Sequence, residues 1–164
     1  MHIGVLSDTH GNAALLHEAA GRLAQAGAGK FYHLGDNYED AADLDAYGHP
    51  VLRVPGVFHP RYRSGDLAPV AWDEAAGRRL ALVHAAFDLG EADIARADVI
   101  LFGHTHDYAA TQEDGTVFLN PGHLKDRTHK DRPATFGLLN ITEDALRFTV
   151  LNLAGEPVLE KSFD

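Results

Sequence analysis

Short apolar runs that stop on an aspartate or a histidine are the feature that most limits how this chain can fold. His2-Ile-Gly-Val-Leu-Ser7 stops at Asp8, and Lys30-Phe-Tyr-His-Leu34 stops at Gly35-Asp36. Arg78–Val83 ends at His84, and Asp98–Phe102 runs into Gly103-His104. Short apolar runs bounded by turn residues read as buried strands. In open α/β sheets, ligands bind beyond the carboxyl ends of the strands, which is where these polar residues fall.

Between the strands lie helical patterns. From Ala13 to Ala26 the apolar positions Leu15, Leu16, Ala19, Ala20 and Leu23 follow helical spacing, with Asn12 as N-cap and Gly27 as stop signal. Glu39–Tyr47 reads as a short acidic helix or turn, Val51–Val54 as a third strand ended by Pro55-Gly56, Val57–Gly65 as a loop, and Glu91–Ala97 as a helix. Pro69 confines a strand at Ala68–Glu74 to a sheet edge. Beyond residue 107 the pattern is strands only: Tyr108–Gln112, Thr116–Leu119, Thr135–Ile141, Ala145–Leu153 and Pro157–Phe163, with hairpin turns at Glu113-Asp-Gly115 and Thr142-Glu-Asp144. The first two-thirds thus read as β-α units with parallel pairing and the last third as an antiparallel meander. An α/β sandwich of two sheets with helices outside satisfies both parts; one mixed open sheet with an antiparallel extension is the alternative. No linker or repeat divides residues 1–164, so a single domain is expected.

Composition narrows the chemistry. The 164 residues carry a net charge of −10, a poor basis for non-specific nucleic-acid binding. There is no cysteine, which excludes disulfides, thiolate metal sites and thiol catalysis. The N-terminal residues carry neither a basic segment nor a long apolar run, and no segment reaches membrane-spanning length, so a cytoplasmic protein is expected. Histidine is abundant, at 11 residues, and it is the commonest metal ligand among side chains.

Six residues stand out as metal ligands: Asp8, His10, Asp36, His84, His104 and His106. In extended chain, residues i and i+2 point to the same side, so Asp8/His10 and His104/His106 can each aim two ligands at one region. A mixed carboxylate–imidazole set suits Mn²⁺, Fe²⁺, Zn²⁺ or similar ions better than Ca²⁺ or Mg²⁺. Asp36, the single acid before Asn37 on its loop, is the candidate to bridge two ions. Two ions roughly 3.5–4 Å apart would clamp a phosphate and activate water as hydroxide for in-line attack.

Ser7-Asp-Thr-His10, Gly35-Asp-Asn37, Val83-His84, Gly103-His-Thr-His106 and Asn120-Pro-Gly122 resemble the motifs of the calcineurin-like metallophosphoesterase superfamily, over about residues 1–125. The short length is similar to its small prokaryotic phosphodiesterase branch. The resemblance implies a four-layer α-β-β-α sandwich with a dinuclear centre. By motif, Asp8, His10 and His106 would hold the first ion, Asp36 would bridge, and His84 and His104 would hold the second. The ions expected are two divalent transition metals per chain: Mn first, with Fe, Zn or Ni as alternatives.

One motif departs from the family. Where Gly-Asn-His-Asp or Gly-Asn-Cys-Asp is expected, the chain reads Gly56-Val57-Phe58-His59. Val57 has no donor atom for the second ion, and Phe58 cannot protonate a leaving group. His59 is the candidate to replace one of these functions, the alternative being a solvent-facing loop histidine. The catalytic assignments are Asp36, His104 and His59. Asn37 and His123 are assigned to substrate, and Lys125 and Arg127 are weaker candidates for neutralising its charge. The expected function is hydrolysis of a small phosphate ester, a phosphodiester before a monoester. A catalytically impaired scaffold of the same fold is the alternative.

Overall fold

The computed structural model describes residues 1–164. Thirteen strands and three α-helices follow one another: β1 (His2–Leu6), α1 (Ala13–Gln25), β2 (Lys30–His33), β3 (Val51–Arg53), α2 (Pro60–Arg63), β4 (Val70–Ala75), β5 (Arg78–Val83), α3 (Glu91–Arg96), β6 (Val99–Phe102), β7 (Ala109–Glu113), β8 (Thr116–Asn120), β9 (Thr128–His129), β10 (Arg132–Pro133), β11 (Thr135–Ile141), β12 (Leu146–Asn152) and β13 (Pro157–Phe163). Two 3-10 segments, Tyr38–Tyr47 and Ala86–Asp88, lie after β2 and β5. No helix is long and apolar enough to cross a membrane.

Two sheets form, not one open sheet. The first has the order β13-β12-β11-β1-β2-β3 and the second β4-β5-β6-β8-β7, with β9 and β10 as a separate hairpin. β1, β2 and β3 are parallel, as are β5, β6 and β8. The C-terminal strands therefore do not make a single meander. The β7–β8 hairpin extends the second sheet, whereas β11–β13 add antiparallel strands to the first beside β1. Side-chain alternation fits this split, because each group presents its own apolar face inward.

The core lies between the sheets. Ile3, Val5 and Tyr32 of the first sheet meet Leu80, Leu82, Val99 and Leu119 of the second, all fully buried. One polar link crosses this layer: the Tyr32 hydroxyl and the Lys30 ammonium both donate to Asp73 on the edge strand β4. The outer face of the first sheet is covered by α1, whose Leu15, Leu16, Ala19, Ala20 and Leu23 are buried against Phe31, Leu44 and Phe136. Asn12 caps α1 as expected, its Oδ1 accepting from the Leu15 N–H at 3.2 Å. α3 flanks the second sheet, where Ala81, Val83, Ala97 and Ile100 form a smaller cluster.

Local differences from expectation are small. The strand expected at Ala68–Glu74 is β4, at the sheet edge as Pro69 requires. The loop expected at Val57–Gly65 contains one helical turn, α2, started by Pro60 and capped by His59.

Phe148 is fully buried on β12 in the inter-sheet core. Phe148→Ala should destabilise the protein by about 3–5 kcal/mol, the transfer loss plus an unfilled cavity. Urea unfolding at fixed m-value checks this.

Candidate metal centre

The parallel strands of both sheets direct their C-terminal ends to one place, and the polar residues gather there. The local geometry is not the extended chain that i, i+2 spacing suggested. Asp8 (φ 55°), His10 (φ 47°), Asp36 (φ 70°), His104 (φ 68°) and His106 (φ 61°) all hold left-handed backbone. The ligand pairs converge because the chain curls at each residue, not because a strand alternates.

The six side chains meet in two groups that share Asp36. One ligand atom from each of Asp8, His10, Asp36 and His106 lies within 4.8 Å of the others. His106 Nε2 is 3.2 Å from Asp8 Oδ1 and 3.2 Å from His10 Nε2, and His10 Nε2 abuts Asp36 Oδ2. On the other side, His84 Nε2 is 3.4 Å from Asp36 Oδ1 and 3.3 Å from His104 Nδ1. The two oxygens of Asp36 thus face different imidazoles. Asp8 Oδ1 and Asp36 Oδ2 are buried and accept no hydrogen bond, despite the nearby ring nitrogens. Buried carboxylate oxygens without donors are costly unless a cation satisfies them, so the donor set fits divalent metal.

Charge in the cluster is arranged for the same end. Burial opposes ionisation of Asp8, but His106, His84 and the Ser7 hydroxyl outweigh it and lower its pKa. Burial and the neighbouring Asp8 charge raise that of Asp36. Burial lowers the pKa of His10 and His104, favouring the neutral imidazole that metal ligation requires.

A supporting shell fixes the ligands. His84 Nδ1 donates to the Leu34 carbonyl at 2.8 Å, which directs Nε2 to the site. The buried Asn120 donates to the Gly103 carbonyl and to Thr105 Oγ1, both at 3.1 Å, and accepts from the Gly122 N–H at 2.9 Å. This is what the Asn-Pro-Gly turn does: it clamps the His104–His106 loop. His33 and Asp40, which sequence reasoning did not select, act on the opposite loop. The Gly35 N–H donates to His33 Nδ1 at 3.4 Å, and Nε2 then donates to Thr9 Oγ1 at 3.3 Å. Thr9 in turn donates to Asp40 Oδ2 at 2.6 Å, which also accepts from the Gly11 N–H at 2.9 Å. Only the position of His33 at the end of β2, beside Gly35-Asp36, could have signalled this.

Two glycines allow the close approach of loops. A Cβ on Gly103 would lie 2.0 Å from Ser7 Oγ and 2.6 Å from Asp8 Oδ2. One on Gly56 would lie 2.5 Å from the Asp36 Cα. Gly56 therefore brings the start of the Val57-Phe58 segment against the Asp36 backbone.

The remaining candidates fall elsewhere. His59 is turned to other partners: Nε2 is 2.9 Å from Glu39 Oε2, and Nδ1 accepts from the Arg61 N–H at 3.2 Å. The hydrogen bond to His59 lowers the pKa of Glu39. His123 is fully buried, with its ring centroid 5.3 Å from that of His106; Nε2 donates to the Arg132 carbonyl at 3.1 Å, and Nδ1 is unpartnered. Burial lowers its pKa, so it lies behind His106 as a neutral ring. Asn37 is exposed beside Gly11, open to a bound molecule. Phe58 is exposed and Val57 half-buried, and neither brings a donor atom.

Paired sheets with carboxylates and imidazoles gathered at their strand ends define an α/β sandwich whose donor set fits a metal ion. The chain belongs to the calcineurin-like phosphoesterase superfamily, whose domain profile matches residues 1–144. No curated protein matches. Among solved structures, Yfce, a phosphoesterase from E. coli, is 24% identical with a TM-score of 0.76, covering 98% of each chain. A novel archaeal phosphodiesterase is 21% identical with a TM-score of 0.73, over 92% of this chain and 100% of that one. Wild-type Vps29 from Entamoeba histolytica, complexed with Zn²⁺, is 21% identical with a TM-score of 0.69, over 100% of this chain and 99% of that one. At these identities the likeness is one of fold.

Burial holds the His33 pKa at about 4, against an ordinary 6.5. The unfolded chain therefore binds the proton first as pH falls, and stability conferred by neutral His33 is complete above pH 6.5 and lost toward pH 4. For the metal-free protein, His33→Gln should remove on the order of 2 kcal/mol of the stability loss between about pH 7 and pH 5, read as the difference in urea midpoints. Gly103→Ala should weaken metal uptake at least about tenfold while leaving the far sheet edges folded, as titration calorimetry and amide exchange would show.

Proposed function

We propose that the chain is a metal-dependent phosphodiester hydrolase. Asp8, His10 and His106 would hold one divalent ion, His84 and His104 a second, and Asp36 would bridge them. The observation that carries this reading is Asp36 itself, whose Oδ2 abuts His10 while its Oδ1 faces His84 at 3.4 Å. Membership of the phosphoesterase superfamily supports hydrolysis as the reaction. The ions, Mn²⁺ in first place and Fe, Zn or Ni as alternatives, would supply a Lewis-acid clamp on the phosphate and an acidified water as nucleophile.

The chain's own residues do the rest. Neutral imidazoles and two carboxylates set the charge of the site, leaving a net positive centre for an anionic ester once ions are bound. Asn37, exposed beside Gly11, would donate to a phosphate oxygen. Phe58 offers no proton to the leaving group, and His59 reaches one only by releasing Glu39 and the Arg61 N–H. His123 supports His106 from behind.

Two outcomes test the reading. With Mn²⁺ added, the protein should turn over bis-p-nitrophenyl phosphate, and Asp36→Ala should lower kcat/KM by roughly a thousandfold or more and reduce the ions bound per chain. Metal bound without turnover on any diester would overturn it. Across a series of aryl and alkyl diesters, rate should fall steeply with leaving-group pKa, because a positioned acid worth roughly 10²–10⁴-fold is missing. A shallow dependence would mean that a proton donor is present after all. A binding scaffold is the second reading, favoured by the donor-free Val57 and Phe58; it requires that Asp36→Ala leave the protein's function untouched.

A further inference from the structure

Most large apolar side chains of this molecule are buried, but Phe58 is 72% exposed and Phe87 69% exposed. A single exposed phenylalanine carries no information. The segments that carry these two border one site. The Phe87 ring stands edge-on to His104, with centroids 5.9 Å apart at 88°. Phe58 is two residues beyond Gly56, whose Cα has no room for a Cβ against Asp36. The segments that carry the rings are tied to each other, because the Tyr62 hydroxyl donates to Asp88 Oδ1 at 2.7 Å. The far end is tied as well, through His59 to Glu39 at 2.9 Å. The backbone that carries both rings is therefore anchored on either side. The Arg63 guanidinium lies 5.5 Å from the Phe58 ring and adds positive charge beside it.

We infer that Phe58 and Phe87 form an aromatic lip beside His84 and His104 that takes a planar aromatic ester group of the substrate. The inference rests on the hydrolase reading and deepens it. Offset or edge-on rings attract one another beyond their simple area, and a preformed lip loses little entropy on binding. Position selects the occupant: a group seated there is covalently within reach of a phosphate held between the imidazoles and Asp36. An aromatic substituent also suits a site without a leaving-group acid, since an aryl oxide departs unprotonated more readily than an alkoxide. The shared chemistry is a flat π-face, supplied by a phenolic ester or by a nucleobase.

The test measures phosphonate binding to the Mn²⁺-loaded protein directly, by titration calorimetry, with diester turnover followed separately. Phenylphosphonate should bind about tenfold more tightly than methylphosphonate. Phe58→Ala and Phe87→Ala should each cut that ratio several-fold, and Phe87→Tyr should restore it where Phe87→Leu does not. Both side chains are exposed, so truncation leaves the fold intact, as thermal unfolding would verify. Phenyl phosphate and thymidine 5′-monophosphate, compared in the same variants, distinguish a bare aryl from a nucleobase; loss of either preference on truncation supports the lip. A wild-type ratio near one, or a ratio unchanged in both alanine variants, overturns it while the hydrolase reading stands. Absence of both phosphonate binding and diester turnover, with ions bound, overturns the hydrolase reading and the lip with it. Alanine variants that keep the ratio but lose a protein partner would assign the rings to docking and overturn the lip.

Discussion

Left-handed backbone at the ligand positions is the constraint on which the site depends. Five of the six candidate ligands, Asp8, His10, Asp36, His104 and His106, have positive φ although none is glycine. Each such residue costs on the order of 1 kcal/mol or more and persists only where the surroundings over-determine it. Here they do. Parallel strands deliver the loops, the Asn120 side chain holds Gly103 and Thr105, and the His33–Thr9–Asp40 chain holds the loop of His10. His84, which ends its strand without such a curl, is fixed through the Leu34 carbonyl. Curling at the ligand itself swings its side chain back over the strand end, which is how two sheets can serve one small volume.

The same volume holds two carboxylates whose charges oppose each other. Burial and Asp8 push the Asp36 pKa upward, while the imidazoles around Asp8 hold that acid ionised. Ordinary packing would fill such a place with apolar groups or a full set of hydrogen bonds. Instead, Asp8 Oδ1 and Asp36 Oδ2 are left without donors, and three surrounding imidazoles, of His10, His104 and His123, are held neutral by burial. A cation resolves all of these features together, and a proton resolves only one of them. The cluster is thus poorly suited to holding a fold together and well suited to holding an ion.

Much of this was legible in the sequence, for identifiable reasons. The helical face of α1 and its Asn12 cap follow from periodicity and local hydrogen bonding, which need no tertiary information. The six ligand candidates were legible because each follows a strand, and strand ends converge by topology. The division of the C-terminal strands between two sheets was not legible: alternation gives the face of each strand but not its neighbour. Nor was the role of His33, because a strand-end histidine looks the same whether it binds an ion or orients the loop beside it. The curled backbone at the ligand pairs was hidden for a similar reason, since left-handed φ at Asp or His leaves no mark in composition.

The departure at Val57-Phe58 shows how fold and chemistry separate. Gly56 still approaches the Asp36 backbone so closely that no Cβ fits, and its N–H donates to the Asp36 carbonyl at 3.2 Å. The backbone of this loop is therefore held against that of Asp36. The side chains this loop offers are a half-buried valine and an exposed ring, neither with a donor atom. This wall of the centre is therefore shaped by backbone at Gly56, beside a carboxylate–imidazole set to which Val57 and Phe58 add no donor.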